Sequence, residues 1–130
     1  MPKIVILGAR PAGSSAGYHL AKSSHQVMLI DKDCFPRDKV YGDVISLESV
    51  QVLSTMGIYP QDIESLASEY AQIDGLLLGV SNEINHLQDT HLKGYCIPRF
   101  VFDNLLYQKA INAGCVARTQ KITNIERYHP

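Results

Sequence analysis

The feature that most constrains the fold is a glycine turn set between two apolar runs. "KIVIL" (3–7) is a continuous branched apolar run, typical of a strand buried on both faces, and Gly8 follows it at once. From Gly13 to about Ser23, small and apolar residues recur at helical spacing, and "QVMLID" (26–31) has the pattern of a second buried strand. The order strand, helix, strand predicts a parallel β-α-β unit.

The rest of the chain has a less regular pattern. A polar loop is expected over 32–43, and helices are expected at 46–56, 61–69 and 99–113. Residues 72–80 and 83–87 are expected to pair as a hairpin around Ser81 and Asn82. Short strands are expected at 115–118 and 121–127. There is no internal repeat and no linker-like stretch. We therefore predict one α/β domain, Rossmann-like, with a parallel β-α-β start and an additional β-hairpin.

Charge and cysteine content exclude several classes of function. Thirteen acidic and twelve basic residues give a net charge of -1 without a Lys/Arg block, so no nucleic-acid partner is expected. Cys34, Cys96 and Cys115 lie far apart and lack metal-ligand spacing, which predicts reduced thiols and no metal site. No run approaches the roughly eighteen apolar residues of a membrane span, and the N-terminus lacks signal-peptide features. A cytoplasmic location is expected.

The stretch "ILGARPAGSSAG" (6–17) approximates the G-x-G-x-x-G fingerprint of dinucleotide-binding proteins. Gly8 suits a tight turn, Gly13 allows close packing of the helix on the sheet, and the helix N-terminus offers N–H groups to a pyrophosphate. Asp31, 23 residues after Gly8, is placed to accept hydrogen bonds from ribose hydroxyls. The Asp31 carboxylate would repel a phosphate on the ribose 2′-oxygen, which favours FAD or NAD over NADP. Alternatively, the glycines only shape a strand-to-helix turn.

Two longer stretches carry a family resemblance. "GARPAGSSAGYHLAKSSHQVMLIDKDCFPRDKVYGD" and "GYCIPRFVFDNLLYQKAINAG" resemble the N-terminal part of the geranylgeranyl reductase family, flavoproteins of the group that includes p-hydroxybenzoate hydroxylase. The resemblance implies FAD as the cofactor, with its ADP half on the first stretch and its flavin beside the loop that ends the stretch. The candidate cofactor-binding residues are Gly8, Arg10, Ala12, Gly13, Asp31, Lys32, Arg37, Tyr41, Gly42, Asp43, Arg99 and Ile122.

The sequence departs from the family pattern at two of these positions. Arg10 occupies the position of the second glycine of the fingerprint. Its side chain either points away, so that the backbone contacts the cofactor, or pairs through its guanidinium with a phosphate. The third alternative is that the turn does not bind the cofactor. Tyr41 occupies the position of the family's loop cysteine, so no catalytic residue is assigned. Arg37 either faces phosphate or ribityl oxygens or balances the acids of its own loop.

The resemblance also implies that the chain is one part of a larger enzyme. Family members are several hundred residues long, with a second FAD motif and a sheet that holds an isoprenoid or other apolar substrate. Residues 1–130 are expected to form a partial FAD-binding domain without a complete substrate domain. The location would become peripheral to a membrane if the substrate is an isoprenoid. The alternatives are a noncatalytic nucleotide-binding or interaction module and a nicotinamide-dependent enzyme.

Overall fold

The computed structural model describes residues 3–38, 44–66, 70–74, 76–80, 83–87 and 94–127. In chain order the elements are β1 (Lys3–Leu7), α1 (Pro11–Lys22), β2 (Gln26–Asp31), β3 (Val44–Ser46), α2 (Leu47–Ser54), α3 (Pro60–Glu64), β4 (Ala71–Ile73), β5 (Leu76–Val80), β6 (Glu83–Leu87), β7 (Gly94–Cys96), α4 (Arg99–Asn112) and β8 (Val116–Thr119). The chain divides into two compact units: unit 1 combines Met1–Asp38 with Phe102–Pro130, and unit 2 is Lys39–Val101.

Unit 1 contains the predicted β-α-β unit and extends it by a third strand. β1 and β8 flank β2, and both pairs are parallel. Helix α1 begins at Pro11, ahead of the predicted Gly13, because proline at the first helical position needs no N–H partner and has a helical φ already. The predicted α/β, Rossmann-like class with its parallel start is confirmed.

The helices of unit 1 pack on one face of this sheet. Five residues form the buried core there, and residues of α1 and α4 pack against them; the five are Ala9, Val27, Leu29, Ala110 and Cys115. On the opposite face Val5 and Leu7 are 55% and 47% exposed. The prediction that β1 is buried on both faces is therefore wrong. An apolar run does not specify what covers each face, and here both helices cover the same one.

Unit 2 has an antiparallel sheet that the sequence pattern did not predict. Its strand order is β3-β7-β4, and its strands are only three residues long, too short for a period-two pattern to emerge. Helix α2 is capped by Ser46, whose side chain accepts from the Ser49 N–H. The buried core residues of this unit are Ile45, Val50, Leu53, Met56, Ile58, Ile63, Tyr95 and Ile97.

Other predictions for the second half of the chain have mixed outcomes. The additional hairpin is confirmed as β5 paired antiparallel with β6, although its predicted turn at Ser81 and Asn82 lies outside the described residues. The predicted strand at 121–127 is wrong, because that segment is irregular, with Ile122 38% and Ile125 75% exposed. An apolar alternation forms a strand only where a neighbouring strand accepts its hydrogen bonds.

Candidate functional site

A cleft lies where the three parallel strands of unit 1 end. Its volume is about 340 Å³, and it is lined by Leu7, Gly8, Arg10, Ile30, Asp31, Lys32, Gln120, Lys121 and Ile122. These residues come from the carboxyl ends of β1 and β2, from the segment after β8, and from the start of α1. In open parallel sheets, ligands bind outside the carboxyl ends of the strands. The cleft is therefore in the position where this fold holds a ligand.

Two glycines shape the turn beside the cleft. Gly8 has φ of +102°, a backbone conformation that side chains disfavour, and its N–H donates to the Ile30 carbonyl at 2.7 Å. At Gly13 an added Cβ would overlap the carbonyl oxygen of Gly8. The start of α1 thus lies directly against the turn, which is the close approach that the fingerprint predicts.

Two side chains hold the residue between these glycines. The N–H of Ala9 donates to Asp31 Oδ2 at 2.8 Å, and the carbonyl of Ala9 accepts from Ser14 Oγ at 2.7 Å. All three residues are buried. Because both polar backbone groups of Ala9 have buried partners, the turn is fixed before any ligand arrives. We call Asp31, Ala9 and Ser14 the turn clamp.

The clamp gives Asp31 a structural role that the sequence analysis missed. Its second oxygen, Oδ1, accepts from the Asp33 N–H at 3.0 Å, and the residue is only 8% exposed. An ionised carboxylate has about four acceptor sites, so two remain for ribose hydroxyls. Sequence reasoning also missed Ser14, whose signal was a small polar residue directly after the last fingerprint glycine, on the buried side of α1.

Arg10 is the residue that precedes α1. Its backbone is extended, and its carbonyl accepts the first helical hydrogen bond, from the Ser14 N–H at 2.8 Å. The N–H groups of Ala12 and Gly13 precede that bond, so they have no partner within the helix. Arg10 is half-buried and lines the cleft.

Arg37 lies in an aromatic cluster next to the clamp. Its guanidinium carbon is 5.4 Å from the centre of the Phe35 ring, and that ring stacks on Tyr107 at 4.6 Å. Nε forms a 3.5 Å ion pair with Asp33, and the side chain is 13% exposed. Nε and Nη2 are buried and lack a hydrogen-bond partner among the described residues. Buried guanidinium donors without acceptors suit an anionic ligand.

Tyr107 contributes an apolar surface to the same cluster. Burial raises the pKa of its phenol above the ordinary value of 10.0, and electrostatic interactions with Cys34 and Asp31 act in the same direction. The ring therefore stays neutral at physiological pH and stacks as an uncharged aromatic.

Five of the twelve candidate residues line the cleft: Gly8, Arg10, Asp31, Lys32 and Ile122. Ala12 and Gly13 belong to the first turn of α1, and Arg37 to the aromatic cluster. Arg99 is the first residue of α4 and falls in unit 2. Tyr41, Gly42 and Asp43 lie outside the described residues. Sequence reasoning missed Gln120 and Lys121, although residues after a third parallel strand reach the same edge.

Metal-binding clusters and membrane-spanning helices are both absent from the described part of the chain. No group of three or more His, Cys, Asp or Glu side chains there is placed to hold a metal ion. None of the helices described is both long and apolar enough to cross a membrane. All three cysteines have free thiols.

Sequence relatives match the chain over a part of their own length. Conditioned medium factor receptor 1 of Dictyostelium discoideum is 34% identical over 74 residues, which is 57% of this chain and 14% of the receptor. Digeranylgeranylglycerophospholipid reductase of Methanococcus aeolicus is 30% identical over 112 residues, 85% of this chain and 27% of the reductase. No protein-family model matches the chain.

Solved structures show the same fold. The flavin-dependent brominase Bmp2 superimposes with a TM-score of 0.82 at 22% identity, over 95% of this chain and 30% of the brominase. Halogenase PltM, solved in complex with phloroglucinol and FAD, has a TM-score of 0.78 at 22% identity, over 97% of this chain and 29% of the halogenase. The sequence resemblance is confirmed: the chain is similar in sequence to digeranylgeranylglycerophospholipid reductase, shares the fold of flavin-dependent halogenases, and spans between about a quarter and a third of the length of these proteins.

Proposed function

We propose that the chain is the FAD-binding N-terminal module of a geranylgeranyl-reductase-like, flavin-dependent oxidoreductase. The observation that carries this proposal is the cleft itself. Five residues selected from the sequence alone come together there, at the carboxyl ends of three parallel strands. The reductase and halogenase relatives supply the flavin class.

The residues of unit 1 fit the ADP half of FAD. The cleft volume of about 340 Å³ lies at the lower end of the roughly 300–1,000 Å³ of ligand pockets, as expected for half of a dinucleotide. The N–H groups of Ala12 and Gly13 would bind the pyrophosphate, and the remaining acceptor sites of Asp31 would bind ribose hydroxyls. By the family resemblance, backbone at Ile122 would contact adenine. When bound, FAD supplies electron transfer through its isoalloxazine ring.

For the whole enzyme we propose an apolar or isoprenoid substrate. This proposal rests on relatives whose names state a lipid or quinone substrate, namely digeranylgeranylglycerophospholipid reductase and the menaquinone reductase of Mycobacterium tuberculosis. A cytoplasmic protein, peripheral to the membrane, would meet such substrates. Within this chain the residues of the cleft bind and orient the nucleotide.

A second candidate is a noncatalytic nucleotide-binding module. It is favoured by the match of 57% of this chain to a protein named as a receptor. In both proposals the cleft binds an adenine nucleotide. They differ in whether a bound flavin is reduced and reoxidised by substrate.

Nucleotide titration tests the proposed site. Because the described contacts reach only the ADP half, we expect the chain to bind ADP and FAD with dissociation constants above about 1 µM. We expect no turnover with a prenyl substrate. Calorimetry gives the affinities, and the visible absorption spectrum of the purified chain distinguishes flavin from nicotinamide. An absence of binding to both ADP and FAD would contradict the proposal.

Arg37→Met is expected to weaken FAD binding by about 10- to 100-fold, the effect of losing charge-assisted hydrogen bonds. Methionine keeps the apolar contact with Phe35 but removes the donors. The matched control is Arg118→Met, which removes the same charge from an exposed position of β8 that does not line the cleft. If calorimetry gives the two variants equal affinities for FAD, Arg37 does not contact the ligand and only balances the charge of Asp33.

A further inference from the structure

One face of the unit 1 sheet lacks a cover in the described part of the chain. Side chains alternate along a strand, and Ile6 and Leu29 pack into the core beneath α1 and α4, so their neighbours in the strands point to the opposite side. The apolar side chains on that side are Val5, Leu7, Met28, Ile30 and Val116. We call these five residues the open face. Val5 and Val116 are more than half exposed. Because parallel sheets are normally covered on both faces, the open face has the character of a docking surface.

Two cations flank the open face. Residues in register on parallel strands share a face, and Lys3 is in register with Gln26 while Arg118 is in register with Ile30. Lys3 and Arg118 are therefore at diagonally opposite corners, and both are exposed. Neither forms an ion pair with another described residue, and none of the outward side chains of the three strands is acidic. An apolar centre with a cation at each of two corners complements an apolar partner that carries acids.

We infer that the open face binds an amphipathic helix of a partner protein, with an apolar stripe on the sheet and one carboxylate near each end of the stripe. Helices are the elements that cover the faces of parallel sheets. This surface is separate from the nucleotide cleft, and the inference does not depend on the proposed function.

The positions of the two cations set the spacing of the two acids. Lys3 and Arg118 are separated by two strand spacings and by four residues of register, which places their Cα atoms about 16 Å apart. A helix advances about 16 Å in three turns, or about eleven residues, and then presents the same side again. The partner helix is therefore expected to carry its acids about eleven residues apart.

A second copy of the chain does not have these properties. Two open faces in contact would bring cations together without an acid between them. The described helices also lack the required pattern. Helices α2 and α3 have only eight and five residues, α1 contains no acid, and the one acid of α4, Asp103, is buried. The complementary helix must therefore come from a different polypeptide.

A lipid surface also fits less well than a helix. Strand β1 is at the edge of the sheet in the described part of the chain, so backbone N–H and C=O groups along its outer side have no neighbouring strand. Such groups cannot enter the hydrocarbon of a membrane without a hydrogen-bond partner. A helix that covers the open face leaves this edge in water.

Two matched peptides test the inference. Both are fluorescently labelled amphipathic helices with the same composition and apolar stripe, and their two glutamates stand either eleven or nine residues apart, on the same or on opposite sides of the helix. We expect the first to bind the unmodified chain about three- to tenfold tighter at low salt, with a smaller difference at high salt. Fluorescence anisotropy measures the affinities. Equal affinities, or no saturable binding of either peptide up to about 1 mM, would overturn the inference.

Charge exchange assigns the preference to the two corners. Arg118→Glu should remove it, and replacing one of the two glutamates of the first peptide by lysine should restore binding to this variant. The matched control is Lys22→Glu, which reverses an exposed charge at the end of α1 and should keep the preference. Circular dichroism checks that both variants are folded. A preference that survives in Arg118→Glu, or binding that neither lysine peptide restores, contradicts the inference.

Two further measurements report other occupants of the open face. The unmodified chain is expected to sediment as a monomer and not to float with phosphatidylglycerol vesicles. A dimer, or flotation, that Val5→Asp abolishes would show that a second copy or a lipid surface covers this face, and would overturn the inference. Val5 and Arg118 do not line the cleft, so ADP and FAD affinities should be unchanged in their variants. Failure of the inference would thus leave the proposed function intact.

Discussion

Asp31→Ala is expected to lower the free energy of unfolding of the chain by about 1–3 kcal/mol, the cost of leaving a buried donor unsatisfied. The reason is the turn clamp, in which Asp31 Oδ2 accepts from the buried Ala9 N–H. The Asp33 N–H is only partly buried and would find water as a partner. Urea denaturation followed by circular dichroism measures the change.

Two further variants make this prediction specific. Asp31→Asn retains one acceptor oxygen for the Ala9 N–H, but its amide NH2 group, itself a donor, would face the Asp33 N–H. Its stability should therefore lie between those of the unmodified chain and Asp31→Ala. Asp38→Ala removes an acid from an exposed position of the same loop and should leave stability within about 0.5 kcal/mol. If Asp31→Ala and Asp38→Ala unfold at the same urea concentration, the clamp contributes nothing to the fold.

The same carboxylate was expected from the sequence to serve only the ligand. Spacing from Gly8 indicates where Asp31 stands along the chain but not which backbone groups its oxygens meet. That depends on the φ of +102° at Gly8, which turns the Ala9 N–H toward the end of β2. Nucleotide affinity and stability should therefore fall together in Asp31→Ala.

Local patterns explain why the β-α-β unit was predicted with bounds close to those observed. Both strands match their predicted residues, 3–7 and 26–31, because apolar runs, a glycine turn and helical spacing all act within a short stretch. The antiparallel sheet of unit 2 was missed because its three-residue strands are brought together from positions distant in sequence. The strand predicted at 121–127 is wrong for a related reason, because a strand forms only where a neighbouring strand accepts its hydrogen bonds.

In the candidate site, too, the residues that serve local structure were predicted and those that depend on tertiary contacts were missed. Gly8, Gly13 and Asp31 are recognisable from their spacing because they serve one turn and the strand beside it. Ser14 and Lys121 were missed, the first because its role is a hydrogen bond to a backbone carbonyl and the second because it reaches the cleft only through the pairing of β8 with β2. Spacing thus predicts which residues surround the turn, but neither the hydrogen bonds of Ser14 and Asp31 to Ala9 nor the residues added by the third strand.

Gly13→Ala is expected to abolish measurable ADP and FAD binding and to lower the free energy of unfolding by about 1–3 kcal/mol, the usual cost of overpacking. The new Cβ would overlap the Gly8 carbonyl oxygen, which is backbone and has no rotamer to change. To relieve the overlap, the start of α1 must move away from the turn. This movement would separate Ser14 from Ala9 and displace the N–H groups proposed to hold the pyrophosphate.

The matched control is Gly17→Ala, the same substitution one helical turn further along α1. There the added Cβ would lie 3.0 Å from Leu29 Cδ2 and 3.2 Å from Cys115 Sγ, which are ends of side chains that can shift. Alanine also favours the helix by up to about 1 kcal/mol, which offsets the crowding. Gly17→Ala should therefore bind ADP within a few-fold of the unmodified chain. Near-normal binding by Gly13→Ala in the same calorimetric assay would show that the turn and α1 need no close contact, and the cleft would lose its proposed pyrophosphate site.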